Sequence, residues 1–186
     1  MKKLDSNYSN TRYGLYYRLV NETDAEFIVR LRNDEKLSKY IHSSCVDAES
    51  QKEWIREYKL REAKGLDYYF VFYKDGKRVG LNRIYKIHDG IFTTGSWLFD
   101  KEASFECSAL ASVICREIAF DELEFEFEDA FDGVHVDNKK VIKFNHMMGV
   151  KDGRHFQDEK GEYIAQSLTK DDFHKHKTRM LKLLGF

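Results

Sequence analysis

The sequence predicts a mixed α/β domain in which one largely antiparallel sheet carries helices on both faces. Three observations lead there. Strand-like runs follow one another between residues 68 and 99 and are joined by Asp-Gly turns; segments of helical periodicity come before and after them; and no repeat or Gly/Ser-rich linker divides the chain. With 186 residues, a single domain over 1–186 is expected. A hydrophobic fraction of 42% and an aromatic fraction of 15% exclude general disorder, because such a chain buries enough apolar area to offset its ordering entropy.

The elements follow in order. Residues 13–20 are rich in strand formers, and Thr23 to Glu26 reads as a capping box before the apolar positions Phe27, Ile28 and Leu31. Residues 39–45 read as a loop. A second helix starts near Asp47, places Trp54, Ile55 and Tyr58 on one side and stops at Gly65, which suits a left-handed cap. Residues 68–73, the Asp75-Gly76 turn and residues 78–85 make the strongest hairpin, and His88-Asp89-Gly90 leads into a further strand over 91–99. Ala109, Leu110, Val113, Ile114, Ile118 and Ala119 mark the next helix. After it come a strand ending near Val136, a helix over 138–148 capped by Gly149, a strand over 163–168 and a last helix after Thr169-Lys-Asp-Asp172.

Charge and cysteine content narrow the function classes. Thirty-one basic residues face 32 acidic ones, so no net field draws the chain to nucleic acid or to an anionic membrane. The longest apolar run, around Ala109 to Cys115, is far below spanning length, and the first residues lack the apolar stretch of a secretion signal. Three cysteines without metal-type spacing fit reduced thiols, and a cytoplasmic location is expected. His42-x-x-Cys45 and His174-x-His176 lack a complete ligand set, so no metal is expected.

The run Asn138-Lys-Lys-Val-Ile-Lys-Phe-Asn-His-Met-Met-Gly149 resembles the last signature of the GNAT superfamily, the acetyl-CoA-dependent N-acetyltransferases. Asn138, Val141 and Gly149 hold the positions of its Asn, its small or branched residue and its Gly. The order of elements is also the family's order, and Gly95-Ser-Trp-Leu98 looks like its fourth strand, so that the resemblance spans about Leu15 to Leu168. Arg18-Leu-Val with Asp24 and Arg30-Leu-Arg-Asn33 looks like the branch holding ribosomal-protein N-terminal and aminosugar acetyltransferases.

The resemblance implies a splay between the fourth strand (91–99) and the fifth, which ends near 136. The arm of acetyl-CoA would lie there against main-chain groups of Trp97, Leu98 and Phe99, with Asn138, Val141 and Phe144 beside it. The diphosphate would sit at the following helix start, over Phe105, Glu106, Cys107 and Ser108. This loop departs from the family pattern, for Ala103, Phe105 and Cys107 stand where glycines are common. Phe105 narrows the cradle, and Glu102 and Glu106 add negative charge. Amide donors do not require glycine, so cofactor binding remains the expectation.

Candidate bases for removing the ammonium proton are His135, because imidazole titrates near neutrality, and Asp100 beyond the fourth strand. Many members place a Tyr seven residues after the signature Asn as the acid for the leaving thiolate. This chain has Asn145 there, which leaves solvent or the adjacent His146 to supply the proton. The acceptor pocket implied by the resemblance draws on Arg30, Arg32, Tyr40, His42, Asn82, Tyr85 and Ser96, with arginines clamping phosphates and tyrosines stacking. Three functions stay open: acetylation of a small-molecule amine with a nucleotide-linked aminosugar preferred, acetylation of a protein amino terminus, and a non-catalytic binding protein of the same fold. The chain would act as a monomer or homodimer.

Overall fold

The computed structural model describes residues 2–40 and 47–186. Among the described residues, eight strands form one sheet: β1 (Ser9–Arg12), β2 (Leu15–Leu19), β3 (Tyr68–Lys74), β4 (Lys77–His88), β5 (Ile91–Phe99), β6 (Phe127–His135), β7 (Lys151–Asp158) and β8 (Gly161–Thr169). Their spatial order is β1-β2-β3-β4-β5-β6-β8-β7, and every neighbouring pair is antiparallel except β5 and β6. The helices are α1 (Ala25–Arg32), α2 (Glu35–Ser38), α3 (Ala48–Lys64), α4 (Phe105–Glu117), α5 (Lys139–Met147) and α6 (Lys170–Leu183), and a π turn over Ile118–Glu122 prolongs α4.

Alternation along β3 sorts the core into two layers. Tyr68, Phe70 and Phe72 join Phe92 of β5, Val113 and Ile114 of α4 and Phe173 of α6 on one face. Tyr69 and Val71 join Ile28 and Leu31 of α1 with Ile55 and Tyr58 of α3 on the other. Because both faces of β3 are covered, its sequence is an unbroken apolar run. The close approach of β4 and β5 depends on Gly80: a Cβ there would lie 2.3 Å from the Phe99 ring.

The expected meander is β3, β4 and β5, turning at Asp75-Gly76 and Asp89-Gly90 with all four residues at positive φ. The helix stop at Gly65 is a left-handed cap with φ 77°. Four expectations need correction. The opening strand begins at Leu15 rather than Tyr13, since Tyr13 and Gly14 are the positive-φ turn of a β1–β2 hairpin. The strands β1 and β7 were not anticipated, because both are edge strands exposed along most of their length and carry no alternating pattern. The short helix α2 also went unread. Finally, the capping box is Asn21 to Asp24: Asn21 Oδ1 accepts from the Thr23 amide at 2.9 Å, and Asp24 Oδ2 accepts from the Asn21 amide at 3.0 Å. Asp24 is fully buried and is also gripped by Arg18 at 2.7 and 3.0 Å, which ties β2 to the start of α1. The loop expected over 39–45 falls mostly on residues outside those described, as do His42 and Cys45.

Candidate active site

The strands β5 and β6 run parallel and pair only at Ile91–Phe127 and Phe92–Glu128, after which they diverge. The gap between them is a cleft of about 240 Å³. Gly95, Ser96 and Trp97 of β5 border one side; Ala130, Val134 and His135 of β6 with Asn138, Val141 and Asn145 around α5 border the other. The local backbone explains the shape. Between the pairs Leu81–Leu98 and Arg83–Gly95, one residue of β4, Asn82, opposes two of β5, Ser96 and Trp97, and Ser96 stands at φ 49°. A serine in the left-handed region is uncommon and marks a backbone held there by its surroundings.

The floor of the cleft is ionic. Arg116 of α4 and Glu128 of β6, 3% and 4% exposed, pair through Nε–Oε2 at 2.7 Å and Nη2–Oε1 at 3.1 Å. Arg116 also donates to the Ser112 hydroxyl, and the Thr94 hydroxyl donates to Glu128. At the mouth, the His135 ring lies 5.0 Å from Tyr40 and 5.1 Å from Tyr163, while Asp132 accepts from Lys86 Nζ at 2.7 Å. Burial pushes the Tyr85 hydroxyl up to about 12, with the Asp132 charge adding to it, so it is a neutral donor at physiological pH.

The structure distributes the sequence-derived candidates unevenly. His135 borders the cleft, yet its Nδ1 accepts from the Asp137 amide at 3.1 Å, so neutral His135 carries its proton on Nε2. That imidazole is set as a donor rather than a base. Asp100 lies away from the cleft, bound to Arg30 at 2.6 Å; partial burial raises its carboxyl, but Arg30 and the loop amides outweigh this and hold it below the usual range. Neither property suits a base. His146 is also outside the cleft, 2.9 Å from Asp152 Oδ2. Asn145 reaches the cleft and donates to Gln166 Oε1 at 2.7 Å, and Gln166 donates onward to Asp152 at 2.8 Å, which fixes the orientation of both amides.

Among the cofactor candidates, Trp97 and Val141 border the cleft, and the Trp97 indole donates to the Ser108 carbonyl at 2.9 Å. Leu98 and Phe99 bury their side chains in the two core layers, so only their main chain is available. Phe144 is buried and stands between Trp97, at 4.9 Å, and Phe105, at 6.2 Å. Phe105 does not plug the cleft: it is 60% exposed on the outer side of this aromatic row. Asn138 begins α5 without capping it, for its side chain makes no cap hydrogen bond, and it borders the cleft instead. The start of α4 is self-satisfied: Ser104 Oγ accepts from Cys107 N–H, Ser104 O accepts from Ser108 N–H, and the Glu106 carboxyl is lowered by its own amide and by Ser104. A diphosphate there must take over those amides. For the pantetheine arm the residues fit, since β5 offers an unpaired edge and Asn138 an uncommitted amide.

Of the acceptor candidates, Tyr40, Asn82, Tyr85 and Ser96 line the cleft, whereas Arg30 is an exposed partner of Asp100. Arg32 lines a second cavity, of about 230 Å³, on the opposite face of the sheet. Sequence reading missed Arg116, Glu128, Tyr163 and Gln166. No local pattern signals them, because each acts through a partner on a different element.

The family model described as an acetyltransferase (GNAT) domain matches residues 15–151. The chain belongs to the GNAT acetyltransferase family. Solved structures agree on its architecture. FdhC, described as a nucleotide-linked sugar GNAT, is 34% identical with a TM-score of 0.82, over 96% of this chain and 99% of that one. A ribosomal-protein-S5-alanine acetyltransferase from Vibrio fischeri is 16% identical, with a TM-score of 0.76 over 90% and 99% of the two chains. RimJ of Mycobacterium smegmatis, in complex with CoA-disulfide, is 15% identical, with a TM-score of 0.78 over 92% and 89%. The last two share the fold alone. Comparison with curated proteins returns no significant match. Family members generally use acetyl-CoA, and no helix of the described residues is long and apolar enough to cross a membrane.

Proposed function

We propose that this GNAT protein transfers an acetyl group from acetyl-CoA to a primary amine of a small molecule, a nucleotide-linked amino sugar. The observation that carries the reaction class is the opened seam between β5 and β6, bordered by the bulge at Ser96. The acceptor class is supported by the likeness to FdhC, at 34% identity over nearly the whole of both chains.

When bound, acetyl-CoA supplies an activated acyl group as a thioester. The amine nitrogen attacks the carbonyl carbon, a C–N bond forms, the C–S bond breaks, and the nitrogen loses a proton while the thiolate gains one. The chain's contribution is placement and polarity. Trp97, Asn138 and Val141, which border the cleft, would flank the arm, main-chain amides of β5 would polarise the carbonyl, and His135 Nε2–H with the Asn145 amide would offer donors near the developing charge. With the accepting nitrogen of His135 occupied, the ammonium proton leaves through water at the open mouth. A thiol pKa of roughly 8.5 makes the thiolate a tolerable leaving group without a tyrosine acid. Buried Cys115 and half-buried Cys107 are compatible with the reducing, cytoplasmic setting that belongs to this reading.

The test is thiol release with purified protein, acetyl-CoA and a panel of nucleotide-linked amino sugars, peptides with free amino termini, and polyamines. Turnover confined to the sugars supports the proposal. Turnover confined to peptides replaces it with amino-terminal acetylation. The self-satisfied start of α4 favours a second reading, a non-catalytic binding protein, and calorimetry showing no acetyl-CoA binding would remove both enzymatic readings.

A further inference from the structure

A primary amine arrives at the cleft as an ammonium ion, and the group that holds such an ion best is a carboxylate. Asp100 lies elsewhere, and Glu128 in the floor is 4% exposed and taken by Arg116 and Thr94. Among the described residues that line the cleft, this leaves Asp132 of β6, whose side chain is 51% exposed.

Three irregularities of the sheet converge on Asp132. Between the pairs Ala130–Gln166 and Val134–Ile164, three residues of β6 face one of β8, so Asp132 stands in a bulge, released from the regular ladder. On β4, Lys86 and Ile87 together face Phe92 between the pairs Tyr85–Thr93 and His88–Ile91, and Lys86 stands at φ 52°. A lysine in the left-handed region is held there by its surroundings. Its Nζ lies 2.7 Å from both Asp132 oxygens, and the Tyr85 hydroxyl lies 3.5 Å from Oδ2. Both side chains come from β4 and reach past the intervening β5. Gly95 opens the way, for a Cβ there would lie 2.9 Å from the Tyr85 ring.

The sheet thus sets a lysine ammonium on the accessible carboxylate of the cleft, and Lys86 Nζ is chemically the group that a primary-amine acceptor brings. An ion pair exposed on both sides is weak, so a second ammonium can take over the carboxylate.

We propose that Asp132 binds the ammonium of the acceptor as a specificity-determining residue, with Lys86 as its resident stand-in until the acceptor displaces it. An ammonium held there is at the open mouth, where water takes its proton. The inference rests on the amine-transfer reading above and not on the acceptor being a sugar, because the carboxylate reads only the cationic nitrogen.

The test compares the full chain with its Asp132→Asn and Lys86→Met variants in steady-state thiol release, using the amine that turns over in the panel above. Calorimetry of CoA-loaded protein with uridine-diphosphate glucosamine and uridine-diphosphate glucose supplies a readout independent of turnover. Asp132→Asn is expected to raise the KM for the amine by about ten- to a hundredfold, the worth of a hydrogen bond to a charged group, and to leave the KM for acetyl-CoA unchanged. Lys86→Met removes the competing cation and is expected to lower the amine KM by about two- to fivefold. A pair that merely braced β4 against β6 would be lost alike in both variants. Equal losses in the two, or an unchanged amine KM in Asp132→Asn, would therefore overturn the proposal and leave the enzymatic reading standing. Should no amine turn over, tighter binding of the glucosamine conjugate than of the glucose conjugate, abolished in Asp132→Asn, would remove the enzymatic reading and keep this site. No turnover and no such preference would overturn both.

Discussion

Replacing Glu128 by Gln isolates the ionic floor of the cleft. The carboxylate is 4% exposed and accepts from Arg116 twice and from Thr94 once, so the substitution leaves the Arg116 guanidinium buried with a neutral partner. Removing one member of a buried pair costs about 3–5 kcal/mol, because the remaining charge keeps its desolvation penalty and loses its attraction. In a chain of this length ~1 kcal/mol corresponds to about 2–4 °C, so the melting temperature is expected to fall by roughly 6–20 °C. The assay is thermal unfolding followed by circular dichroism. Arg116→Met combined with Glu128→Leu removes both charges together and is expected to cost clearly less than the single change. A fall below about 3 °C for Glu128→Gln, or a double variant as damaged as the single one, would refute the account of the floor as a coupled pair.

Three further outcomes follow from the geometry. Asn138→Ala should change the urea midpoint little, since no cap is lost, while raising the KM for acetyl-CoA; Thr169→Ala, which removes a real cap on α6, should cost about 1 kcal/mol. Burial raises the Asp152 carboxyl, but Gln166 and His146 outweigh this and hold it below its ordinary 3.8. Its stabilisation is therefore present above about pH 4 and lost as pH falls through the lower folded value. Urea midpoints measured from pH 5.5 to 2.5 should fall less steeply for Asp152→Asn than for the parent. Gly80→Ala forces its Cβ into the Phe99 ring and should cost about 1–3 kcal/mol in urea unfolding.

The strands and helices that were legible announce themselves locally. Tyr68 to Tyr73 is a run only a doubly covered strand carries, and Asp75-Gly76 and Asp89-Gly90 supply the positive φ of tight hairpins. Polar edge strands have no such signature, and β7 is the case in point. The site was less legible for a related reason. The Arg116–Glu128 pair spans a helix and a strand, the ring tautomer of His135 depends on one amide two residues on, and alternation along β3 shows that Tyr69 is buried without showing that it faces a void. An Asn at the start of a helix is equally suited to capping it, and only the unmade cap bond separates that role from the cofactor role of Asn138.

The backbone ladder between β5 and β6 consists of two residue pairs, backed by the Thr93 and Thr94 hydroxyls, which donate to Asp129 O and to Glu128 at the same end. Mechanically it is a hinge stitched at one end, with β1 to β5 forming one jaw and β6, β8 and β7 the other. Amide hydrogens in the two jaws should therefore exchange as separate cooperative units. A wedge lodged in the seam would brace them against each other, and their protection would then rise together.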